Sequence, residues 1–204
     1  MAERLSALAP AYRAGSFGAE HASGPGITLA ERRGLAMVQV AAIDGEIEAV
    51  RRGITTAVGL TPDAQPNRAV SSGRTTALWV GPGRFLIVEP ERADASLEGL
   101  LRSALPASQA ALVDLGSSRT VLRVSGPRSR DLIAKGCPMD LHVRAFPAGA
   151  CAQTLLGHVQ MLVHAVDDAS TLDIYVARSF GLTVWEFLTE SAAEYGYRVE
   201  ATAA

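Results

Sequence analysis

From Gly34 to Gly116 the apolar residues change period in a fixed order, and near Thr120 the same order begins again. A strand places apolar side chains alternately or in a short run, whereas a helix repeats them at i, i+3, i+4 and i+7, so each switch of period marks a new element. GLAMVQV, Gly34 to Val40, suits a buried strand. Ile47, Val50, Ile54 and Ala57 then share one helical face, with Asp44 placed to cap it and Glu46 and Glu48 ahead of Arg51 and Arg52, as a helix dipole favours. After the TPDAQPN loop, RTTALWV and RFLIVEP are strands separated by Gly81-Pro82-Gly83, a hairpin signal. A second helix starting near Asp94 turns Leu97, Leu100, Leu101 and Leu105 inward; Pro106 follows it, and ALVDLG returns as a strand. Strand, helix, strand, strand, helix, strand is the split βαβ, or ferredoxin-like, order.

The second round opens with TVLRV as a strand. Pro127 stands in the first turn of the next helix, Asp131 lies early, Lys135 falls in its last turn, and Gly136 and Pro138 stop it. CAQTLLG, QMLVHAV and TLDIYV are strand-like; Ser179 is placed to cap a helix with Leu182, Trp185, Leu188 and Ala192 on one face; YRVE supplies a closing strand. The expected fold is therefore α+β, with two tandem ferredoxin-like halves at residues 31–116 and 117–204. Residues 1–30, broken by Pro10, Gly15, Gly18, Gly24, Pro25 and Gly26, are expected to be an extended arm.

A chain of 204 residues with 48% hydrophobic and 20% charged side chains can bury a core and is not composed like a disordered protein. A net charge of -2 gives no electrostatic case for nucleic acid, so the expected partners are small molecules or proteins. Cys137 and Cys151 are too few for a disulfide framework or a four-thiolate metal site, which fits a reducing cytoplasm. MAERLSALAPAYRAGSFG has no apolar run of the kind a secretory signal needs. Ala148 to Val166 lacks formal charges, but Gln153, His158, Gln160 and His164 interrupt it, and two strands explain it better than a membrane helix.

The residues that invite a catalytic reading each have a simpler one. Pro82 removes a backbone donor where a phosphate cradle would need it, and neither a Walker pattern nor GxGxxG is present. His158 and His164 would share one face of a continuous strand, but no third ligand has matching spacing, and neither His21 in the arm nor His142 in a loop supplies it. Cys137 lies beyond a helix end, where the dipole is negative and does not favour a thiolate, so packing is its expected role. Asp167, Asp168 and Asp173 read as part of a hairpin rather than an acid-base set, because adjacent carboxylates on a strand face opposite ways. No catalytic or metal-binding residue is nominated. Arg119 and Arg123 share a strand face with Val121 between them, and they are either solvated or anchors for a partner. Phe146, followed by Pro147, makes an apolar knob beside Arg144, so the candidate interface is Arg119, Arg123, His142, Arg144 and Phe146.

SRTVLRVSGPRSRDLIAKGCPMDLHVRAFPAGACAQTLLGHVQMLVH and DIYVARSFGLTVWEFLTESAAEYG resemble the gamma subunit of heterotetrameric sarcosine oxidase, with KGCPMDLHVRAF the specific run. The resemblance implies a fold related to the folate-binding domain of the glycine-cleavage aminomethyltransferase. It implies membership of a four-subunit complex that demethylates sarcosine oxidatively to glycine, reduces oxygen to hydrogen peroxide, and passes the one-carbon unit to tetrahydrofolate or releases formaldehyde. FAD, FMN, NAD, zinc and tetrahydrofolate would then belong to the alpha, beta and delta subunits, and this chain would be an accessory component holding no cofactor. The alternative is a stand-alone folate-binding or aminomethyltransferase-like protein. Relatives that bind folate carry Asn-Asp where this chain has Met139-Asp140, so Asp140 is the single residue on which that alternative rests.

Overall fold

The computed structural model describes residues 5–92 and 95–201. Its first half runs β1 (Gly15–Phe17), β2 (Ile27–Glu31), β3 (Leu35–Ala42), α1 (Ile47–Val58), β4 (Ala69–Ser72), β5 (Thr75–Gly81), β6 (Arg84–Pro90), α2 (Leu97–Ala104) and β7 (Ala110–Asp114). The second runs β8 (Arg119–Ser125), α3 (Ser129–Ala134), β9 (Cys151–Leu156), β10 (Val159–Ala165), β11 (Leu172–Ala177), α4 (Gly181–Ala192) and β12 (Tyr197–Val199). Two units result: Gly34–Ser117 joined by Gly149–Ala152, and a second made of the segment up to Arg33 with Ser118–Ala148 and the chain from Gln153 onward.

The Gly34–Ser117 unit is a five-stranded antiparallel sheet in the order β4-β5-β6-β3-β7. Strands β3 and β5, linked through α1, are separated by β6; β6 and β7, linked by α2, are separated by β3. Each helix thus crosses one intervening strand, the split βαβ arrangement that the periods imply. Val38, Val40, Phe85 and Ile87 from the sheet meet Val50 and Ile54 from α1 and Leu97, Leu101 and Leu105 from α2 in one core. At Gly53 a Cβ would lie 2.2 Å from the Leu105 side chain, so the absent side chain sets how closely α1 and α2 approach. Two details differ from the sequence reading. Asp44 does not cap α1; it sits at φ 48° in a left-handed turn, and the helix starts at Ile47 without a side-chain cap. Asp94 lies outside the described residues, and α2 starts at Leu97 with Ser96 accepting the Gly99 N–H at 3.0 Å. The edge strand β4, rich in serine and half exposed, carries no apolar period and escaped notice.

The other unit holds a seven-stranded sheet in the order β1-β12-β2-β8-β11-β10-β9. The same split order is present, with β11 between β8 and β10, but β12 does not pair with β8. Strand β2 lies between them, antiparallel to β8 (Thr28 opposite Ser125) and parallel to β12 (Tyr197 opposite Ile27). The expected extended arm is therefore corrected: residues 15–17 and 27–31 are strands, and Ile27 and Leu29 are fully buried between two neighbours. Leu8 is also fully buried, and the Tyr12 ring stacks on Trp185 at 5.0 Å while its hydroxyl donates to the Glu200 carbonyl at 2.8 Å. A five-residue strand flanked by glycines and arginines is too short for its alternation to stand out. Ser179 does not cap α4 either; a 3-10 turn over Arg178–Phe180 leads into it, with no side-chain cap.

Entry into the inserted strand requires Gly126. Its φ is 106°, and a Cβ there would sit 2.6 Å from the Gly26 carbonyl oxygen, so both the backbone angle and the contact exclude a side chain. Gly24, at φ 81°, has open space around the same point. Gly126→Ala is expected to lower unfolding free energy by about 3 kcal/mol and Gly24→Ala by about 1 kcal/mol, measured by chemical denaturation.

Candidate functional site

Asp173 is 1% exposed near the start of β11. Arg123, opposite it on β8, donates Nε to Oδ1 at 2.8 Å and Nη2 to Oδ2 at 2.9 Å, and Arg32, just past β2, donates Nη1 to Oδ2 at 2.8 Å. Hydrogen bonding to Asp173 raises the Arg123 pKa against the opposing effect of burial, so the guanidinium stays charged. Arg123 is thus corrected from a free partner anchor to a member of an internal clamp. Across the ladder on β10, His164 stands opposite Asp173, 3% exposed, with Nδ1 lacking a partner among the described residues. Burial pushes His164 down to about 4, with Asp173 opposing and Arg123 and Arg32 adding to the fall. His158, in contrast, lies exposed in the turn between β9 and β10, so the two histidines do not share one continuous strand. Among the described residues no cluster of three or more His, Cys, Asp or Glu is placed to hold a metal.

The loop after α3 carries the other candidates. Leu141 and Phe146 are 3% and 4% exposed, so Phe146 is an anchor of the loop and not the apolar knob expected from its neighbours. Arg130 Nη1 donates to both their carbonyls, at 2.9 Å for Phe146. Nε and Nη2 of Arg130 are buried without a partner among the described residues, and burial lowers its pKa against the pull of Asp167 and Asp168. Between the anchors, Asp140 Oδ1 accepts the His142 N–H at 2.9 Å, His142 Nδ1 accepts the Arg144 N–H at 3.3 Å, and the His142 carbonyl accepts the N–H groups of Ala145 and Phe146 at 2.9 and 2.8 Å. These bonds hold His142, Val143 and Arg144 outward on a fixed turn, with Val143 41% exposed. Arg119 is half-buried at the start of β8, opposite Ala177. Sequence reasoning missed Arg130 and Arg32, because an arginine in the first turn of a helix or after a strand carries no mark of the carbonyl or carboxylate it will meet.

Neither cysteine is placed as a nucleophile. Cys151 is fully buried, its S–H directed to the Trp79 carbonyl at 3.5 Å, and burial pushes the thiol up to about 11. Cys137 is buried too and meets the Thr154 hydroxyl at 3.9 Å. Lys135 is tied to Glu194 and to the Ser191 carbonyl and lies 4.5 Å from the centre of the Tyr195 ring.

Residues 44–194 match the family model described as sarcosine oxidase, gamma subunit family. The chain belongs to that family. It is 30% identical to the sarcosine oxidase subunit gamma of Arthrobacter sp, over 79% of this chain and 78% of that relative. Identity to the subunit gamma of Corynebacterium sp. (strain P-1) is 35% over 60% of this chain, a match spanning 56% of that relative. The solved structure of heterotetrameric sarcosine oxidase from Corynebacterium sp. U-96 in complex with pyrrole 2-carboxylate contains a chain 25% identical, with TM-score 0.75 over 87% of this chain and 88% of that one. Glycine cleavage system aminomethyltransferase T from Bartonella henselae is 11% identical with TM-score 0.62, covering 87% of this chain and 48% of that one. The gamma-subunit fold is thus the α+β, ferredoxin-like arrangement of the aminomethyltransferase. No helix among the described residues is long and apolar enough to cross a membrane.

Two measurements check the clamp. Asp173→Asn strands two guanidinium groups and is expected to cost about 3–5 kcal/mol in chemical denaturation. His164 has a folded pKa of about 4 against an ordinary 6.5, so the unfolded chain takes up the proton first as pH falls. Stability is expected to decline as pH drops from about 6.5 to about 4, by on the order of 3 kcal/mol from this residue, and His164→Gln should flatten that part of the curve.

Proposed function

We propose that this chain is the accessory gamma subunit of a heterotetrameric sarcosine oxidase. The assembly would convert sarcosine to glycine, reduce oxygen to hydrogen peroxide, and transfer the one-carbon unit to tetrahydrofolate or release it as formaldehyde. The observation that carries this reading is the correspondence, at TM-score 0.75 over nearly the whole of both chains, with a chain from a solved heterotetrameric sarcosine oxidase. In this reading FAD, FMN, NAD, zinc and tetrahydrofolate reside with the alpha, beta and delta subunits, and the complex works in the cytoplasm. The placement of reactive groups supports a structural role. His164 and Cys151 are buried, away from any substrate in solution, and Asp173 is committed to two arginines. The stand-alone folate-binding alternative rests on Asp140, whose Oδ1 accepts the His142 N–H in the turn after α3.

Within this reading the fixed turn at His142, Val143 and Arg144 is a contact made by the subunit. Its backbone is already ordered by Arg130 and Asp140, so a partner would not have to freeze it on binding. Arg119 is a half-buried cation on the same unit. Gentle purification of the tagged chain from its own cell is expected to bring three stoichiometric partners with bound flavin, read by mass and absorbance. A lone, colourless chain would refute the subunit reading. Arg144→Glu combined with Val143→Asp is expected to cut the co-purified flavin about tenfold, with the melting temperature of the chain unchanged.

A further inference from the structure

In the unit of Gly34–Ser117, the start of α1 and the β5–β6 hairpin line a cavity of about 630 Å³. Trp79, Ile47 and Phe85 give it apolar walls, and Asp44, Glu46, Glu48 and Arg52 give it charge. The carboxylates are not equivalent. Both oxygens of Glu48 accept from Arg51 Nη1, at 2.7 and 2.9 Å, so Glu48 is already neutralised. Asp44 and Glu46 engage no side-chain partner among the described residues, and Arg52 faces the same cavity as the single cation against them. The Trp79 indole is half-buried, on a strand whose register shifts between Trp79 and Gly81. An indole face together with carboxylates in excess is the chemistry that receives an organic cation: the ring quadrupole attracts it and the oxygens accept its N–H groups.

The openness of the cavity selects the source of that cation. Asp44, Glu46, Arg52 and Pro82 are exposed at its rim. A site for a free small molecule typically encloses most of the ligand surface, whereas an open depression is closed by the surface that carries the inserted group. We propose that this cavity is a socket for an arginine or lysine side chain of a partner subunit, its charge held by Asp44 and Glu46 and its alkyl stem packed against Trp79. The proposal rests on the subunit reading above and concerns a surface on the other structural unit from the His142 turn.

The test measures association of the chain with the remaining subunits of its complex as a function of salt. Asp44→Asn with Glu46→Gln removes the charge while keeping shape, and asparagine tolerates the left-handed φ at position 44. The double variant is expected to bind about tenfold more weakly and with a shallower salt dependence. Its melting temperature should fall by only a few degrees, because the two carboxylates have no side-chain partner among the described residues and lose only their interaction with the N-terminal dipole of α1. Trp79→Ala should weaken binding as well. Unchanged affinity and salt dependence in the double variant, beside a wild-type chain that associates, would overturn the socket alone. A wild-type chain that associates with nothing would overturn both the subunit reading and the socket. Tetramethylammonium chloride supplies the remaining arm: Trp185 is 3% exposed, so a change in indole emission on adding the cation reports on Trp79. A saturable emission change in the lone chain, with association of the double variant unimpaired, would assign the cavity to a free cation and overturn the partner side chain.

Discussion

A carboxylate inside a sheet is the constraint around which the larger unit is organised. An isolated ionised side chain at the position of Asp173 would cost on the order of several kcal/mol, and only well-aimed counter-charges with hydrogen bonds offset that. Arg123 supplies a bidentate partner from the adjacent strand, and Arg32 supplies a third bond from beyond β2. Because strand side chains alternate between faces, a slip of one residue in β8 or β2 would carry a donor to the wrong side and leave the charge unmatched. The clamp therefore ties the register of three strands together. It also explains how a short strand from the start of the chain is held between β8 and β12, where the repeat of the first unit would have paired the equivalent strands directly.

Most of the groups that look reactive are consumed in this way. His164 is kept neutral beside the clamp, Cys151 packs under Trp79, and Lys135 bridges α3 to the turn after α4. What the molecule leaves outward is of another kind: a turn prefixed by buried anchors at Leu141 and Phe146, and an indole-lined depression with unmatched carboxylates. Both present polar or charged groups on ordered backbone, the property of surfaces that meet other proteins. Membership of the gamma subunit family sets this fold beside that of an aminomethyltransferase, and one fold can carry different sites.

Much of the fold could be read from local periods. Ile47, Val50 and Ile54 mark α1 because one face of a helix repeats within a few residues, and Gly81-Pro82-Gly83 marks the hairpin because only a turn uses that triplet well. Strand β4 escaped because its serines on an exposed edge carry no pattern, and β2 because five residues among glycines and arginines are too few to show one. The candidate site was less legible. His142 and Arg144 are exposed as the loop composition suggests, but Phe146 is turned inward by Arg130, whose role depends on two carbonyls eleven and sixteen residues away.

The amino-acid sequence by itself determined the element order, the doubled split βαβ plan and, through KGCPMDLHVRAF, the family. These follow from short-range patterns, since a period or a turn triplet is complete within one element. Only the tertiary structure decided that β2 divides the second sheet, that Arg123 grips Asp173, and that Phe146 is an anchor. An alternating strand states which side chains share a face but not what covers that face. The partner of a long arginine side chain is chosen by residues that meet it only when distant strands come together.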